Sequence, residues 1–372
     1  MRPTHAEIDL RAIDANLRNI RRHIGRHPLI MAVVKANAYG HGAVPVAKEI
    51  VRRNSAQYLG VAIVEEGMEL RTAGIGLPVH VFTAPFRHQL PLFIEYRLEP
   101  TICDMSVARA LNVLAAKKGV VVPVHVKIDT GMGRIGVKAA EAIPFVESVL
   151  KLKNISVKGI WTHFATSDDR DLSFAEHQLS LFRSIVTGLE LRGIHIPLVH
   201  CANSGAILQM PDAWFDMVRP GIMMYGYTPS RSTRRTVPLR PAMSLKAKVG
   251  FVKEVPKGTS ISYSLRYVTK RRSTIASVTV GYADGYFRTL TNRTSVLIRG
   301  KRYPVAGTVC MDQIMVDTGS DKVKVGDDVV LIGSSGSQRI TGWDIAAAAG
   351  TIPYEVTCAV SPRVPRIYRH GK

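Results

Sequence analysis

The chain has 372 residues, of which 46% are hydrophobic and 21% charged. That balance excludes a disordered chain and suits a large α/β domain with a smaller one beside it. The formal net charge of +21 raises nucleic acid as a partner, yet the basic residues are dispersed: Arg21 and Arg22, Arg52 and Arg53, Arg234 and Arg235, and the run Lys270, Arg271, Arg272. None falls in a helix-turn-helix, zinc-finger or RNA-binding signature, so no nucleic-acid partner is expected. The four cysteines, Cys103, Cys201, Cys310 and Cys358, include no CxxC pair, which argues against a metal site and a disulfide framework. The charged N-terminus lacks the apolar centre of an export signal, and no apolar run nears the roughly 20 residues that span a bilayer. A cytoplasmic enzyme with no membrane association is the expectation.

In chain order, the short strand HAEIDL comes first. From residue 11 onward, apolar strands alternate with amphipathic helices. The expected strands are LIMAVV, YLGVAIV, VHVF, LEPTI, VVVPVHVKI, VKGIWTHF, IPLVHC and FDMVRP. Between them lie helical patterns such as DMSVARALNVLAAKKG and LSFAEHQLSLFRSIVTGLELRG. Eight strands with intervening helices predict an α/β fold, a TIM-like (β/α)8 barrel over residues 11–240. Beyond it the rhythm changes to short β segments punctuated by Gly, Pro and Asp, including AKVGFVKEV, TIASVTVGYADG, TSVLIRG, QIMVDTG and DDVVLIG. Residues 241–372 therefore read as a mainly-β C-terminal domain, with which the strand in residues 1–10 would pair.

Function in such a barrel sits at the C-terminal ends of the strands. Lys35 ends the first strand, where the apolar run LIMAVV stops abruptly on an amine. Lys127, Asp129 and Arg134 lie at and after the fifth, His163 closes the sixth, His200 the seventh and Arg219 the eighth. A lone lysine past a strand end is usually a solvated one. Cationic side chains at five of eight strand ends form a constellation instead. After the seventh strand, Asn203 and Ser204 read as a helix start, and after the eighth, Gly221 and Ile222 offer backbone amides. Ser204 is equally well read as a helix cap or as a phosphate ligand. An amine, an arginine and a phosphate cradle together suit a phosphorylated carbonyl cofactor that lysine holds covalently; pyridoxal phosphate fits.

The segments AVVKANAYGHG, KIDTGMGRIG, RPGIMMYG, GYADGY and VAGTVCMDQIMVD occur in this order, and with them the chain resembles the alanine racemases from AEIDL near its start to YEVTCAVSPRVPRIY at its end. The resemblance implies an isomerase interconverting L- and D-alanine on pyridoxal 5'-phosphate, supplying D-alanine for peptidoglycan. It implies that Lys35 holds the cofactor and serves as one of two acid–base catalysts, with Tyr263 as the other on the opposite face of the substrate Cα. Tyr39, Ser204, Gly221, Ile222 and Tyr354 would contact the phosphate, with Asn203 beside them. Arg219 would face the pyridine nitrogen, and His163 would support Tyr263 or the cofactor. Arg134 and the Met311 amide would receive the substrate carboxylate, and Lys127 would be carbamylated and orient Arg134. A head-to-tail homodimer would bring Tyr263, Met311 and Asp312 to the partner's site.

The chemistry suits these residue types. Racemisation needs a base on each face of Cα. A guanidinium only donates, so Arg219 would keep the ring nitrogen unprotonated. Four positions depart from the family pattern: Ser264 where glycine is usual, Arg266 where threonine is, Gly205 where alanine is common, and His5 where an aromatic often stands. The nearest alternatives are other lysine-cofactor barrels, such as amino-acid decarboxylases and racemases of larger amino acids, and a cofactor carrier made of a barrel alone. Tyr354 and Met311 favour a tight pocket for a methyl side chain.

Overall fold

The computed structural model describes residues 3–369. The chain forms two compact units. One comprises Ala12–Ala38 and Ala43–Arg240; the other takes in the chain through Arg11, the short stretch Tyr39–Gly42, and everything from Pro241 on.

The first strand, β1 (His5–Asp9), belongs to the second unit. The barrel unit contains β2 (Leu29–Val33), β3 (Tyr58–Val61), β4 (Val79–Val81), β5 (Glu99–Ile102), β6 (Val122–Asp129), the short β7 (Val137–Lys138), β8 (Ile155–Trp161), β9 (Leu198–His200) and β10 (Met217–Val218). All pair in parallel, in the order β10-β2-β3-β4-β5-β6-β8-β9, with β7 attached to β6. Between β9 and β10 the Asp216 amide donates to Val199 at 3.1 Å and the Arg219 amide to Ala202 at 2.9 Å, leaving a nearly closed eight-stranded barrel. The eight expected strands and this fold agree. Their apolar runs are continuous because helices cover the outer face while side chains fill the interior.

The barrel interior is not purely apolar. On β6, alternation points His125, Lys127 and Asp129 to one face, and His125 and Lys127 are fully buried there. His80, Trp161 and His200 join them, with Trp161 and His200 stacked 5.9 Å apart. Gly159 on β8 makes room for this layer, since a Cβ there would lie 2.1 Å from His125 Nδ1.

The β-rich unit is organised by β11 (Met243–Val255), whose inner half alternates buried and half-buried residues. It pairs antiparallel with β1, which in turn runs parallel to the last described strand, β20 (Arg366–Arg369). The strands between are β12 (Ser260–Ile261), β13 (Tyr267–Val268), β14 (Ser273–Val278), β15 (Ser295–Ile298), β16 (Lys301–Pro304), β17 (Ile314–Gly319), β18 (Asp328–Ser335) and β19 (Gln338–Ile340). A bulge at Val249/Phe251 lets β11 serve two neighbours, β18 along one stretch and β14 along another.

Candidate active site

The residues following β2 carry an unusual backbone. Ala36, Asn37, Ala38 and Tyr39 all have φ between 51 and 53°, a left-handed turn that costs L-residues roughly 1–2 kcal/mol each. The surroundings enforce it. The Ala38 amide donates to Val34 at 2.8 Å, Glu66 accepts from the Ala36 amide at 2.5 Å, and Asn37 Oδ1 accepts from the Ala43 amide at 2.8 Å. In the β-rich unit, a Cβ on Gly40 (φ 82°) would lie 2.1 Å from the Thr357 carbonyl oxygen. The motif KANAYGHG is thus a strained turn that fixes where the chain leaves Lys35, and such strain collects at functional sites.

Arg219, directly after β10, is 3% exposed. Its guanidinium donates to His200 Nδ1 at 2.8 Å, to the Thr162 and Cys201 carbonyls at 2.8 and 2.9 Å, and weakly to His163 Nδ1 at 3.4 Å. It lies over the Trp161 ring, 5.1 Å from its centroid. Burial lowers its pKa to about 10, so it stays charged at neutral pH. His163 is held well below the usual histidine range by burial, and then by Arg219, Arg134, Lys127 and Lys35. Those four cations are the ones singled out from the strand ends, and their fields converge on one imidazole.

Lys127 is 1% exposed; its Nζ donates to the Ile128 carbonyl at 2.6 Å and sits 4.8 Å from the Trp161 centroid. Burial, followed by Arg219, pushes its pKa down to about 7. Asp129 tightens the following loop by accepting from the Gly131 and Gly133 amides at 3.0 and 3.1 Å. Arg134, at the end of that loop, is exposed.

The seventh and eighth loops are tied together. Asn203, rather than Ser204, caps the helix Ser204–Gln209, accepting from the Ala206 amide at 3.0 Å. Ser204 is freed from capping, and its Oγ accepts from the Gly221 amide at 3.0 Å. Gly205 packs on the chain behind it: a Cβ there would lie 2.6 Å from the Ser167 carbonyl oxygen, which accounts for glycine at this position. A hydroxyl, the Gly221 and Ile222 backbones, an amine and a buried guanidinium are a donor set that fits an anionic, carbonyl-bearing group.

In the β-rich unit, Tyr39 packs against Tyr354, their rings 5.8 Å apart. Tyr263 stands on a turn between β12 and β13 and is 70% exposed; Met311 is 52% exposed. The Tyr263 turn is left-handed at Ser262, Ser264 and Leu265 (φ 67, 59 and 50°). It is pinned by Ser262 Oγ donating to the Thr308 carbonyl at 2.6 Å and Thr308 Oγ1 donating to the Tyr263 carbonyl at 2.8 Å. The motifs GYADGY and VCMDQ pack together, because the Tyr282 and Ala283 amides donate to Cys310 and Met311 at 3.0 Å each. A Cβ on Gly281 would lie 2.2 Å from the Met311 carbonyl oxygen. Arg363 then spans buried Asp284, at 2.9 Å, and Asp312, at 2.5 Å. Sequence reasoning passed over Asp284 and Arg363. The alternation in GYADG places Asp284 beside the glycine, but nothing in the sequence announces its partner 79 positions on.

The chain is thus a parallel barrel with an amine just after its first strand, the buried cations Lys127 and Arg219 at later strand ends, together with a β-rich unit presenting an exposed tyrosine. The family models for the alanine racemase N-terminal and C-terminal domains match residues 8–229 and 242–368. The chain is 49% identical over 370 residues to a protein named alanine racemase from Halothermothrix orenii, covering 99% of this chain and 97% of that one. Among solved structures, alanine racemase from Clostridium difficile superposes with a TM-score of 0.94 at 40% identity, covering 99% of this chain and 96% of that chain. An alanine racemase from Bartonella henselae, described with covalently bound pyridoxal phosphate, superposes with a TM-score of 0.89 at 29% identity, covering 99% and 100%. The chain belongs to the alanine racemase family, isomerases whose members bind pyridoxal phosphate. Among the described residues, no helix is long and apolar enough to cross a membrane, and no group of three or more His, Cys, Asp or Glu could hold a metal ion.

Proposed function

We propose that the chain interconverts L- and D-alanine with pyridoxal phosphate held on Lys35. The observation that carries this reading is the buried Arg219 guanidinium after β10, donating to His200 and toward His163 beside the tied Ser204–Gly221 loops, within a chain that matches the family over residues 8–229 and 242–368. The cofactor, when bound, acidifies the substrate Cα–H by withdrawing electrons from it. Every other task falls to side chains. Ser204 and the Gly221 and Ile222 amides bind the phosphate, with Asn203 shaping their loop; the Gly221 amide, which now donates to Ser204, shares that bond or exchanges it. Tyr39 and Tyr354 complete the phosphate end. Arg219 stays protonated and offers the ring nitrogen only donors, which limits how far charge drains from Cα and so favours prompt reprotonation. Lys35 and Tyr263 each take or return the Cα proton, one per face, while Arg134 and the Met311 amide hold the carboxylate. Lys127 is carbamylated, and the new carboxylate orients Arg134.

The exposure of Tyr263 and Met311 supports a head-to-tail homodimer in which each chain completes its partner's site, with Asp312 held by Arg363 alongside. On this reading the barrel carries the cofactor and the β-rich domain delivers the second base. The protein works in the cytoplasm and supplies D-alanine for peptidoglycan.

The test is incubation of cofactor-supplemented protein with L-alanine in D2O, followed by chiral analysis and Cα deuterium content. Cα-deuterated D-alanine is expected. Lys35→Ala and Tyr263→Phe should each lower racemisation by at least the roughly 10²–10⁴-fold typical of a removed acid–base group. No D-alanine from unaltered, cofactor-loaded protein would reject the assignment.

A further inference from the structure

The barrel interior holds a chain of hydrogen bonds that runs from the start of β5 to Arg219. Lys158 Nζ lies 3.1 Å from Glu99 Oε1, and His125 Nε2 lies 2.9 Å from Glu99 Oε2. His125 Nδ1 is 3.0 Å from His200 Nε2, and His200 Nδ1 is 2.8 Å from the Arg219 guanidinium. Glu99, His125, His200 and Arg219 are all buried. Gly159 leaves the space that His125 occupies, as a side chain there would strike its ring.

The donors and acceptors admit a single proton arrangement. A guanidinium only donates, so His200 Nδ1 must be bare and accept. A charged His200 would set N–H against N–H at this contact. Neutral His200 therefore carries its proton on Nε2 and donates to His125 Nδ1, which must also be bare. The His125 proton then sits on Nε2 and is given to Glu99. A charged His125 fails as well: it would force the His200 proton onto Nδ1, against Arg219. The carboxylate at the end is ionised. Burial would raise the Glu99 pKa, but His125 and Lys158 outweigh it and hold it below the usual range. Burial keeps both histidines below theirs.

We propose that Glu99 is a positioning residue for Arg219, acting through His125 and His200, whose protons it aligns so that the guanidinium is oriented and held charged at the cofactor ring. The inference rests on the functional reading above only for what Arg219 faces; the proton arrangement is independent of it. Polarised in one direction, the relay carries part of the influence of the Glu99 charge to a cation that has only neutral groups in direct contact.

The test uses the cofactor-loaded protein with 15N-labelled histidine. Long-range 1H–15N spectra of unaltered protein should show His125 and His200 as neutral, Nε2-protonated rings between about pH 6 and 8. Either ring found charged or protonated on Nδ1 would overturn the proposal, and this reading needs no variant to fold. Glu99→Gln should disturb both signals and lower kcat for alanine by about 10- to 100-fold, the scale known for carboxylates that orient a metal-bound histidine from behind, with KM within about twofold because no substrate contact is removed. Ile102→Val, a lesion on the opposite face of β5 from Glu99, should leave both readouts unchanged. The proposal fails if Glu99→Gln folds with unchanged signals and kcat, or if Ile102→Val mimics it. Absence of racemase activity in unaltered protein would overturn the functional reading alone, since the tautomers are read directly.

Discussion

Removing carbon dioxide should weaken the folded protein, and Lys127 is the reason. Its amine is buried, beside Arg219 and Arg134, with a pKa of about 7 against the ordinary 10.5. The difference corresponds to about 5 kcal/mol of penalty on folding when the unmodified lysine is charged. The sign follows from proton binding. Between about pH 7 and 10.5 the unfolded chain holds the proton and the folded chain does not, so stability rises with pH across this window. The penalty is full below about pH 7 and absent above about 10.5. At pH 7 about half of the folded amine is neutral, against roughly one part in several thousand for a free lysine. The neutral amine can attack carbon dioxide: an N–C bond forms as a C=O π pair moves onto oxygen, a proton leaves to solvent, and a negative group replaces a positive one in the field of Arg219 and Arg134. We expect 13C-bicarbonate to give a carbamate carbon resonance that Lys127→Ala abolishes, and bicarbonate at pH 7 to raise the denaturation midpoint. In carbon-dioxide-free buffer, Lys127→Met should be more stable than the unmodified parent by about 2–4 kcal/mol, the penalty less the lost bond to Ile128. No carbamate signal, together with Lys127→Met destabilising the protein in that buffer, would refute the reasoning.

Two backbone predictions concern the β-rich unit. Ser264→Gly should raise stability by about 0.5–1 kcal/mol, because glycine adopts φ near 59° without the left-handed penalty and loses only part of that gain to chain entropy; a lower melting temperature would contradict it. Gly40→Ala should cost about 2–4 kcal/mol, combining a strained backbone at φ 82° with a Cβ 2.1 Å from the Thr357 carbonyl oxygen. A thermal melt equal to the parent would show that the turn can shift.

The legible part of this protein was the part written in local pattern. LIMAVV reads as a strand buried on both faces because its apolar run is unbroken, and β2 is that strand. The eight strands of the barrel, the cationic residues at their ends and the change of rhythm near residue 240 were legible for the same reason. Local pattern also located the Asn203–Ser204 helix start, though not which of the two caps it: Asn203 takes the Ala206 amide while Ser204 takes the Gly221 amide, 17 residues away.

What sequence left dark depends on groups far apart in the chain. The KANAYGHG turn is left-handed because Glu66, Asn37 and the packing of Gly40 on Thr357 hold it so; no propensity favours four such residues in succession. Glu99 and His125 look like ordinary strand residues in LEPTI and VVVPVHVKI until the pairing of β5 with β6 sets them 2.9 Å apart and the later strands bring His200 and Arg219 to the same row. Which strands form in the barrel, and which residue types stand at their ends, can be read from local pattern, because the period of apolar residues is a property of neighbouring positions. The lowered pKa of Lys127, the strain behind Lys35 and the direction of the buried relay come from the fold, because desolvation and hydrogen-bond partnership arise when distant segments meet.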